Sequence, residues 1–229
     1  MRKFTLMILA AGFGTRMESL TKNFPKPLLK INNSTLLTNT INFFENLGCN
    51  KFIINSHYLH ENLKDYINSK HSKKNIYLIY EPQILDTGGG IKNSIEYFDS
   101  KNFLVTNADI YWDKKNINDI NNFIDIIDQF ESYFLLLSNQ KNTIGIERSY
   151  GDFVIHNDYV RRWIEGDPVI FFSGLQILNP KIFDNFKSNK FSMNKIWDKL
   201  ILEKQLKAKI MKSKLFHIGD IKTFNKIIS

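Results

Sequence analysis

The feature that most constrains this chain is an apolar run near its N-terminus that ends abruptly in small residues. Residues 4–9 read Phe-Thr-Leu-Met-Ile-Leu, and Ala10, Ala11, Gly12 and Gly14 follow closely. An apolar run of this length, bounded by turn-forming residues, is typical of a fully buried strand. Glycine has no Cβ, so the backbone can turn sharply there and approach a ligand. The sequence therefore predicts a buried strand that leads straight into a tight loop.

Two cations flank this loop. Arg16 ends the segment that begins at Gly12, and Lys26 stands between two prolines. Backbone N–H groups of a glycine loop can surround an anion, and a guanidinium adds a forked donor. The prolines restrict the backbone around Lys26 and stiffen that turn. We therefore predict that the Gly12–Arg16 loop and Lys26 bind a polyphosphate.

Other interpretations of the same stretch are weaker. The dinucleotide fingerprint would need a third glycine where Met17 stands, and a Walker loop would need Gly-Lys-Ser or Gly-Lys-Thr. The basic and then apolar start also resembles a short signal peptide, but cleavage there would remove the predicted first strand. A plain buried strand with an ordinary turn stays open for the glycine pair taken alone.

The rest of the first half alternates apolar runs with amphipathic stretches. Further strands are predicted at residues 51–55, 75–80, 102–106 and 133–137, with helices between them, the first capped by Ser34. This alternation is typical of an α/β fold with a mostly parallel sheet covered by helices on both faces. No repeat or linker marks a domain boundary, so residues 1–229 are predicted to form a single domain.

The pattern changes after about residue 150. Residues 151–163 predict a hairpin, and residues 169–178 a long strand interrupted at Ser173 and Gly174. Helices near 180–186 and 192–204, a strand near 207–213 and a last helix from 221 complete the prediction. We expect this second half to form a small β-containing lid beside the sheet.

Composition argues against disulfide-linked, membrane-bound and nucleic-acid-binding classes of protein. The 229-residue chain has one cysteine, Cys49, which excludes an internal disulfide and suits the cytoplasm. The sequence contains no apolar run of about 18 residues, so no membrane partner is predicted. The formal charge of +8 is spread along the chain, which indicates a solvated basic surface rather than nucleic-acid binding. Such a surface attracts anionic substrates.

Three polar or glycine-rich segments follow predicted strands: Gly12–Arg16, Thr87–Gly90 and Asn107–Asp109. Ligands of open parallel sheets bind beyond the carboxyl ends of the strands, so these segments should gather at one edge. Glycines that open a helix can present N–H groups to an anion or a ribose, with a flexible turn as the alternative. Asp109 can hold Mg²⁺, although a helix cap or a solvated strand end is the alternative and Asp113 is a competing ligand.

The two-part pattern of Leu9–Arg16 followed by Pro25-Lys26-Pro27 resembles the signature of the sugar-1-phosphate nucleotidyltransferases. The resemblance covers nearly the whole chain. It is strongest for short single-domain members, the N-acetylmuramate-1-phosphate uridylyltransferases and the mannose-1-phosphate guanylyltransferases. It implies a Rossmann-like nucleotide-diphospho-sugar transferase fold. The nucleotide-binding half would span about 1–140 and the sugar-phosphate-binding half about 141–229.

The resemblance also implies a set of site residues. The catalytic residues would be Arg16 and Lys26, which meet the triphosphate charge, and Asp109, which holds Mg²⁺. The nucleotide-binding residues would be Leu9, Ala10, Ala11, Gly12, Gly14, Thr15, Thr87, Gly88, Gly89 and Asn107. The sugar-phosphate-binding residues would be Gly151, Asp152, Glu165, Ser173 and Gly174. Residues 216–220 resemble the second metal segment of the family, which makes His217 a further candidate metal ligand.

Two departures from the family pattern affect these roles. The family usually carries an aspartate where His217 stands, so His217 would be a neutral metal ligand or would contact phosphate. Asp220 could replace that aspartate only on a different backbone path. Many members carry a lysine just after the glutamate, whereas Gly166 follows Glu165 here. Phosphate neutralisation on that side would then fall to nearby arginines, Arg161 or Arg162.

The implied reaction is attack by a sugar-1-phosphate oxygen on the α-phosphorus of UTP or GTP, with Mg²⁺ present and pyrophosphate leaving. The sugar phosphate would be N-acetylmuramate 1-phosphate or mannose 1-phosphate. A phosphate monoester with a second pKa near ~6 is already largely ionised at neutral pH, so no general base is needed. The protein would be a cytoplasmic enzyme of sugar-nucleotide and cell-wall synthesis, either a monomer or a homodimer. The alternative is a catalytically silent relative that only senses a nucleotide or an NDP-sugar, which the departure at His217 allows.

Overall fold

The computed structural model describes residues 2–98, 102–128, 133–157, 159–184 and 186–228. The strands are β1 (Phe4–Leu9), β2 (Lys30–Ile31), β3 (Ser34–Thr35), β4 (Cys49–Ser56), β5 (Ile76–Tyr80), β6 (Phe103–Asn107), β7 (Ile110–Tyr111), β8 (Tyr133–Asn139), β9 (Thr143–Ile144), β10 (Phe153–His156), β11 (Tyr159–Arg162), β12 (Ile170–Leu178), β13 (Leu206–Met211) and β14 (Leu215–His217). The α-helices are α1 (Leu36–Asn46), α2 (His60–His71), α3 (Asp86–Asn93), α4 (Ile117–Ile124), α5 (Met193–Leu202) and α6 (Ile221–Ile228).

The core of the fold is a seven-stranded sheet in the order β13-β8-β12-β6-β1-β4-β5. Its neighbouring strands pair in parallel except around β12, which is antiparallel to both β6 and β8. The predicted α/β class with a mostly parallel sheet is confirmed. The strand β1 lies between β6 and β4, so the loop that follows it is placed in the interior of the sheet edge.

Helices cover both faces of this sheet. Leu6 and Ile8 of β1 belong to one buried cluster with residues of α1, α2 and α4, whereas Met7 belongs to a second cluster with residues of α3 and α5. Successive side chains of a strand point to opposite faces, so each face of β1 has its own apolar layer. This explains why the first strand is a continuous apolar run rather than an alternating one.

The boundaries of some elements differ from their predictions. Thr35, not Ser34, caps α1, because the Thr35 hydroxyl accepts a hydrogen bond of 3.0 Å from the backbone N–H of Thr38. Serine and threonine both serve as N-caps, so sequence alone did not separate these neighbours. The helix predicted near 180–186 is a short 3₁₀ turn at Pro180–Phe183, and Asn185 lies outside the described residues.

The second half of the chain contributes more to the central sheet than expected. Strands β12 and β13 enter that sheet, while the hairpin β10–β11 and a small sheet in the order β7-β14-β9 are separate from it. The predicted hairpin is confirmed, with Asp158 at its tip outside the described residues. The pattern of an apolar strand reveals that it is buried but not which strand it pairs with. The expected lid is therefore limited to the smaller β elements.

Candidate active site

A cavity of about 380 Å³ opens at the carboxyl ends of β6, β1, β4 and β5. Two predicted segments line it in full, namely Leu9–Arg16 at the end of β1 and Asn107–Asp109 at the end of β6. Of the third predicted segment, Thr87–Gly90, only Thr87 lines the cavity, beside Asp86. Lys26 and Gly219 also line this cavity. The prediction that the strand-end segments gather at one edge is therefore confirmed for the first two segments and for Thr87 of the third.

The loop after β1 has the tight geometry that its glycines suggested. Gly14 has a φ of +67°, in the left-handed region that glycine adopts without strain. A Cβ added at Gly14 would come within 3.2 Å of the Cβ of Lys26. The Thr21 hydroxyl donates to the Gly14 carbonyl over 3.0 Å, which ties the far end of the loop back to this turn. Gly14 thus lets the loop close against Lys26.

A compact charged cluster lies at the β6 side of the cavity. The Lys26 ammonium donates to Oδ2 of Asp109 over 2.8 Å, and Nε2 of His217 lies 3.4 Å from the same oxygen. The three side chains are mostly buried, with exposed fractions of 12% for Lys26, 20% for Asp109 and 17% for His217. His217 is held from behind, because its Nδ1 lies 3.3 Å from the Gly145 carbonyl oxygen.

The charges of this cluster shift two pKa values. Burial alone would raise the pKa of Asp109, but the nearby Lys26 and His217 hold it well below its usual value. Burial would lower the pKa of His217, yet the Asp109 carboxylate outweighs it and raises that pKa above 6.5. Asp109 is therefore a carboxylate at neutral pH.

The second carboxylate oxygen of Asp109, Oδ1, could bind a metal ion. It is buried and has no hydrogen-bond partner among the described residues. Mg²⁺ takes oxygen ligands and is commonly held by one or two carboxylates together with substrate phosphates and water. The described residues contain no group of three or more His, Cys, Asp or Glu side chains placed to hold a metal. The arrangement fits an ion that one carboxylate shares with a phosphate-bearing substrate.

The two competing acids have other tasks. Asp113 accepts a hydrogen bond of 2.9 Å from the Lys115 N–H and caps a short 3₁₀ turn. Asp220 accepts a hydrogen bond of 2.8 Å from the Thr223 N–H at the start of α6. Both are used as caps, which favours Asp109 as the metal ligand at this edge.

The glycines of α3 lie inside the helix rather than at its first residue. The helix begins at Asp86, so Gly88 and Gly89 lie inside it, and the Gly89 N–H donates to the Phe191 carbonyl over 3.0 Å. A Cβ on Gly88 would come within 2.4 Å of the Phe191 ring, and one on Gly89 within 2.3 Å of the Asn189 carbonyl oxygen. These glycines let the segment before α5 pack closely on α3. The N–H of Gly89 is already bonded to the Phe191 carbonyl, and the nucleotide contact expected of Gly88 and Gly89 stays a prediction.

Comparisons with known proteins agree with this geometry. Residues 5–214 match the family described as nucleotidyl transferase. The chain belongs to this nucleotidyl transferase family. It is 23% identical to the N-acetylmuramate alpha-1-phosphate uridylyltransferase of Caulobacter vibrioides over 93% of this chain and 91% of that protein. It is 27% identical to the enzyme of the same name from Neisseria meningitidis, over 80% of this chain and 78% of that protein.

A solved structure extends the comparison. HddC from Yersinia pseudotuberculosis, complexed with GMP-PN, superposes with a TM-score of 0.79 and 26% identity, and 98% of each chain is covered. The family resemblance inferred from the sequence and the expected fold are both confirmed. The roles of the individual site residues in this nucleotidyl transferase stay predictions. No helix among the described residues is long and apolar enough to cross a bilayer.

The residues predicted to hold the sugar phosphate are dispersed around the second half of this nucleotidyl transferase. Asp152 accepts hydrogen bonds from Arg148 over 2.6 Å and from the Phe172 N–H over 2.9 Å. Glu165 is exposed on a turn, Ser173 is buried and Gly151 packs against Ile170 and Trp163. Gly174 comes nearest to the cavity, since a Cβ there would lie 3.4 Å from the Cβ of Asn107.

The two arginines expected to neutralise a sugar phosphate are held in ion pairs. Arg161 donates two hydrogen bonds of 2.6 Å to Asp167, and Arg162 donates to Asp198 over 2.8 Å. The Arg161 pair also lowers the pKa of Asp167 to about 2. These ion pairs neutralise part of the charge that either arginine could bring to a phosphate.

Sequence reasoning missed several cavity-lining residues, among them Asn55 and Glu81. Asn55 accepts from the Ala10 N–H over 2.8 Å and donates to Oε1 of Glu81 over 2.7 Å. Oε2 of Glu81 accepts from the Leu85 N–H over 3.0 Å, so this chain of bonds joins the loop after β1 to the segment before α3. A signal existed for Asn55, because it is a polar residue near the end of an apolar strand, as Asn107 is in β6.

Proposed function

We propose that this nucleotidyl transferase joins a nucleoside triphosphate to a sugar 1-phosphate and releases an NDP-sugar and pyrophosphate. One observation carries the proposal: Arg16, Lys26 and Asp109 line a single cavity, with Lys26 in direct contact with Asp109. In this arrangement Arg16 and Lys26 would meet the phosphates, and Asp109 would hold a metal ion that neutralises their charge. The names of the Caulobacter and Neisseria relatives support the sugar 1-phosphate as the second substrate.

The strand order suggests how the nucleotide lies. Asp109 follows β6, and Glu81 follows β5, with β1 and β4 between them. Neighbouring strands are about 4.8 Å apart, so the cavity floor extends roughly 14 Å from the cluster of Lys26 and Asp109 to the β5 side. We place the triphosphate at the first end and the nucleoside towards β4 and β5. The sugar phosphate then approaches from the side of Gly174, beside Asn107.

The chemistry needs alignment and charge neutralisation more than proton transfer. An oxygen of the sugar phosphate forms a bond to the α-phosphorus, and the bond from that phosphorus to the β-phosphate oxygen breaks as pyrophosphate leaves. The attacking monoester is already ionised at neutral pH. Arg16 and Lys26 stabilise the charge on the phosphoryl oxygens, and the loop around Gly12 holds the triphosphate in line.

We assign Mg²⁺ to Oδ1 of Asp109. When bound, the ion neutralises charge on the phosphates of the nucleotide. Asp109 orients the ion and Lys26 holds the other carboxylate oxygen in place. Nε2 of His217 lies 3.4 Å from that same oxygen, Oδ2, and helps to hold it. The names of relatives support uracil or guanine as the base and N-acetylmuramate or mannose as the sugar, and we place the reaction in the cytoplasm.

The test pairs four NTPs with three sugar 1-phosphates, those of N-acetylmuramate, mannose and glucose, and measures pyrophosphate release with Mg²⁺ present. We expect one nucleotide and sugar phosphate pair to support turnover well above the rate of either substrate alone. Nucleotide binding measured by calorimetry separates the alternatives. A protein that binds an NTP but releases no pyrophosphate with any pair would be a nucleotide sensor, and the proposal would be wrong.

A further inference from the structure

One aromatic side chain in the Gly12–Arg16 loop has no role in the proposed phosphoryl transfer. Phe13 stands between Gly12 and Gly14, and 46% of it is exposed. Of the large apolar side chains exposed in the described parts of the chain, Phe13 is the one that lines the cavity. Exposed apolar surface is costly in water, and a partner that covers the ring removes that cost. Its position therefore points to a ligand contact rather than to core packing.

The Phe13 ring is supported from behind by two other rings. Its centroid lies 5.3 Å from the His57 ring in an edge-to-face arrangement and 5.9 Å from the Tyr58 ring. Nδ1 of His57 lies 2.7 Å from the Glu81 carbonyl oxygen, and the Tyr58 hydroxyl donates to the Thr21 carbonyl over 3.1 Å. Both supporting rings are anchored by hydrogen bonds, so the aromatic face at Phe13 is already in position before a ligand binds.

The supporting rings also locate Phe13 along the cavity. His57 and Tyr58 directly follow β4, on the side of the cavity away from Asp109 and β6. Lys26 and Asp109 lie at the β6 end of the cavity. Phe13, His57 and Tyr58 therefore lie towards the opposite end. This position rests on the proposed function, which places the nucleoside towards β4 and β5.

We propose that Phe13 packs its ring against the base of the bound nucleoside triphosphate. Every base has a π face, and stacking on an aromatic ring depends little on which base is present. Phe13 would therefore raise the affinity for any NTP without selecting among them. Base selection would come from hydrogen-bonding groups elsewhere on the cavity wall.

The experiment compares Phe13→Ala with the wild type and with two control variants. Phe13→Tyr keeps the ring, and Phe24→Ala removes another exposed phenylalanine that does not line the cavity. Calorimetry measures the Kd of UTP, GTP, ATP and CTP for those that bind, and the Kd of inorganic tripolyphosphate, which carries no nucleoside. Sugar phosphate is left out, so no turnover occurs.

We expect Phe13→Ala to weaken every NTP that binds by a similar factor of roughly 5- to 150-fold, the range that base–aromatic stacking provides. Tripolyphosphate affinity should change less than twofold, and both controls should bind NTP like the wild type. Equal losses for NTP and tripolyphosphate would mean that Phe13 only shapes the loop, and unchanged NTP affinity would mean that the ring has no ligand. Either result overturns the inference, while turnover by the wild type would still support the proposed function.

Discussion

The Lys26 ammonium lies 2.8 Å from Oδ2 of Asp109, although 83 residues separate the two in the chain. The contact joins the turn after β1 to the end of β6, two neighbouring strands of the sheet. It holds one carboxylate oxygen and leaves the other, Oδ1, buried and without a partner among the described residues. The pair thus places a cation beside a carboxylate oxygen that has no partner among the described residues.

Removal of the Lys26 cation should slow the reaction. We expect Lys26→Ala to lower kcat by about a hundredfold or more, the scale of losing one electrostatic stabiliser of the transition state. Lys30→Ala is a matched control, since Lys30 is exposed in β2 and does not line the cavity. Steady-state pyrophosphate release measures both variants. A kcat within about threefold of the wild type for Lys26→Ala would contradict the assignment.

Asp109→Asn should remove the metal-binding charge while it keeps the shape of the side chain. The wild type should lose turnover on treatment with a chelator and regain it when Mg²⁺ is restored. We expect the variant to lose about a hundredfold in kcat and to stay slow in excess Mg²⁺, because an amide oxygen carries no charge to hold the ion. Mg²⁺ titrations of pyrophosphate release give this comparison. Full recovery of the kcat of Asp109→Asn in excess Mg²⁺ would show that other residues bind the metal.

Gly88→Ala should destabilise the fold through the Phe191 ring, which lies 2.4 Å from the position of the new Cβ. We expect a loss of about 1–3 kcal/mol in the free energy of unfolding, although alanine favours a helix over glycine by up to ~1 kcal/mol. Urea denaturation measures the change. Gly12→Ala is the control, because a Cβ there meets no atom within 4 Å.

The contact between Gly88 and Phe191 can also be tested by a change at Phe191. In a Phe191→Leu background, the cost of Gly88→Ala should shrink by about 0.5 kcal/mol or more, since residues in contact are energetically coupled. Purely additive losses would show that the ring and the glycine are independent, and the packing role of Gly88 would be dropped.

His71 should make the stability depend on pH. Its side chain is buried, and Nε2 lies 2.7 Å from the Thr38 hydroxyl. Burial, aided by the charge of Lys74, lowers the pKa of His71 below 6.5. Below about pH 6.5, His71 is therefore protonated in the unfolded chain more than in the folded chain. Because protonation then favours the unfolded state, the free energy of unfolding falls as the pH drops.

The comparison with His71→Gln isolates this effect. The stability of the wild type relative to the variant should be constant above about pH 7 and should decline from pH 6.5 to pH 5. His217 has a raised pKa and titrates in the opposite sense, but it is present in both proteins and cancels. Urea denaturation across this pH range provides the measurement. A difference that does not vary with pH would show that His71 titrates normally in the folded state.

The sequence by itself determined the elements and the edge at which the site forms. The apolar run at 4–9 predicted β1, and the glycines of the loop after it predicted that the backbone approaches a ligand closely. Ligands of parallel sheets bind at the carboxyl ends of the strands, which predicted that Gly12–Arg16 and Asn107–Asp109 lie together. These features are local, because burial, periodicity and turn chemistry are written in neighbouring residues. The family signature added the identity of the reaction.

Only the tertiary structure decided which distant segments meet. It inserted β12 antiparallel between β6 and β8, brought His217 to Asp109, and packed Gly88 closely against Phe191. A glycine or an apolar strand has the same local signature whatever it packs against. Its partner is chosen when the whole sheet assembles and each face must be filled, and that choice depends on side chains far away in the chain.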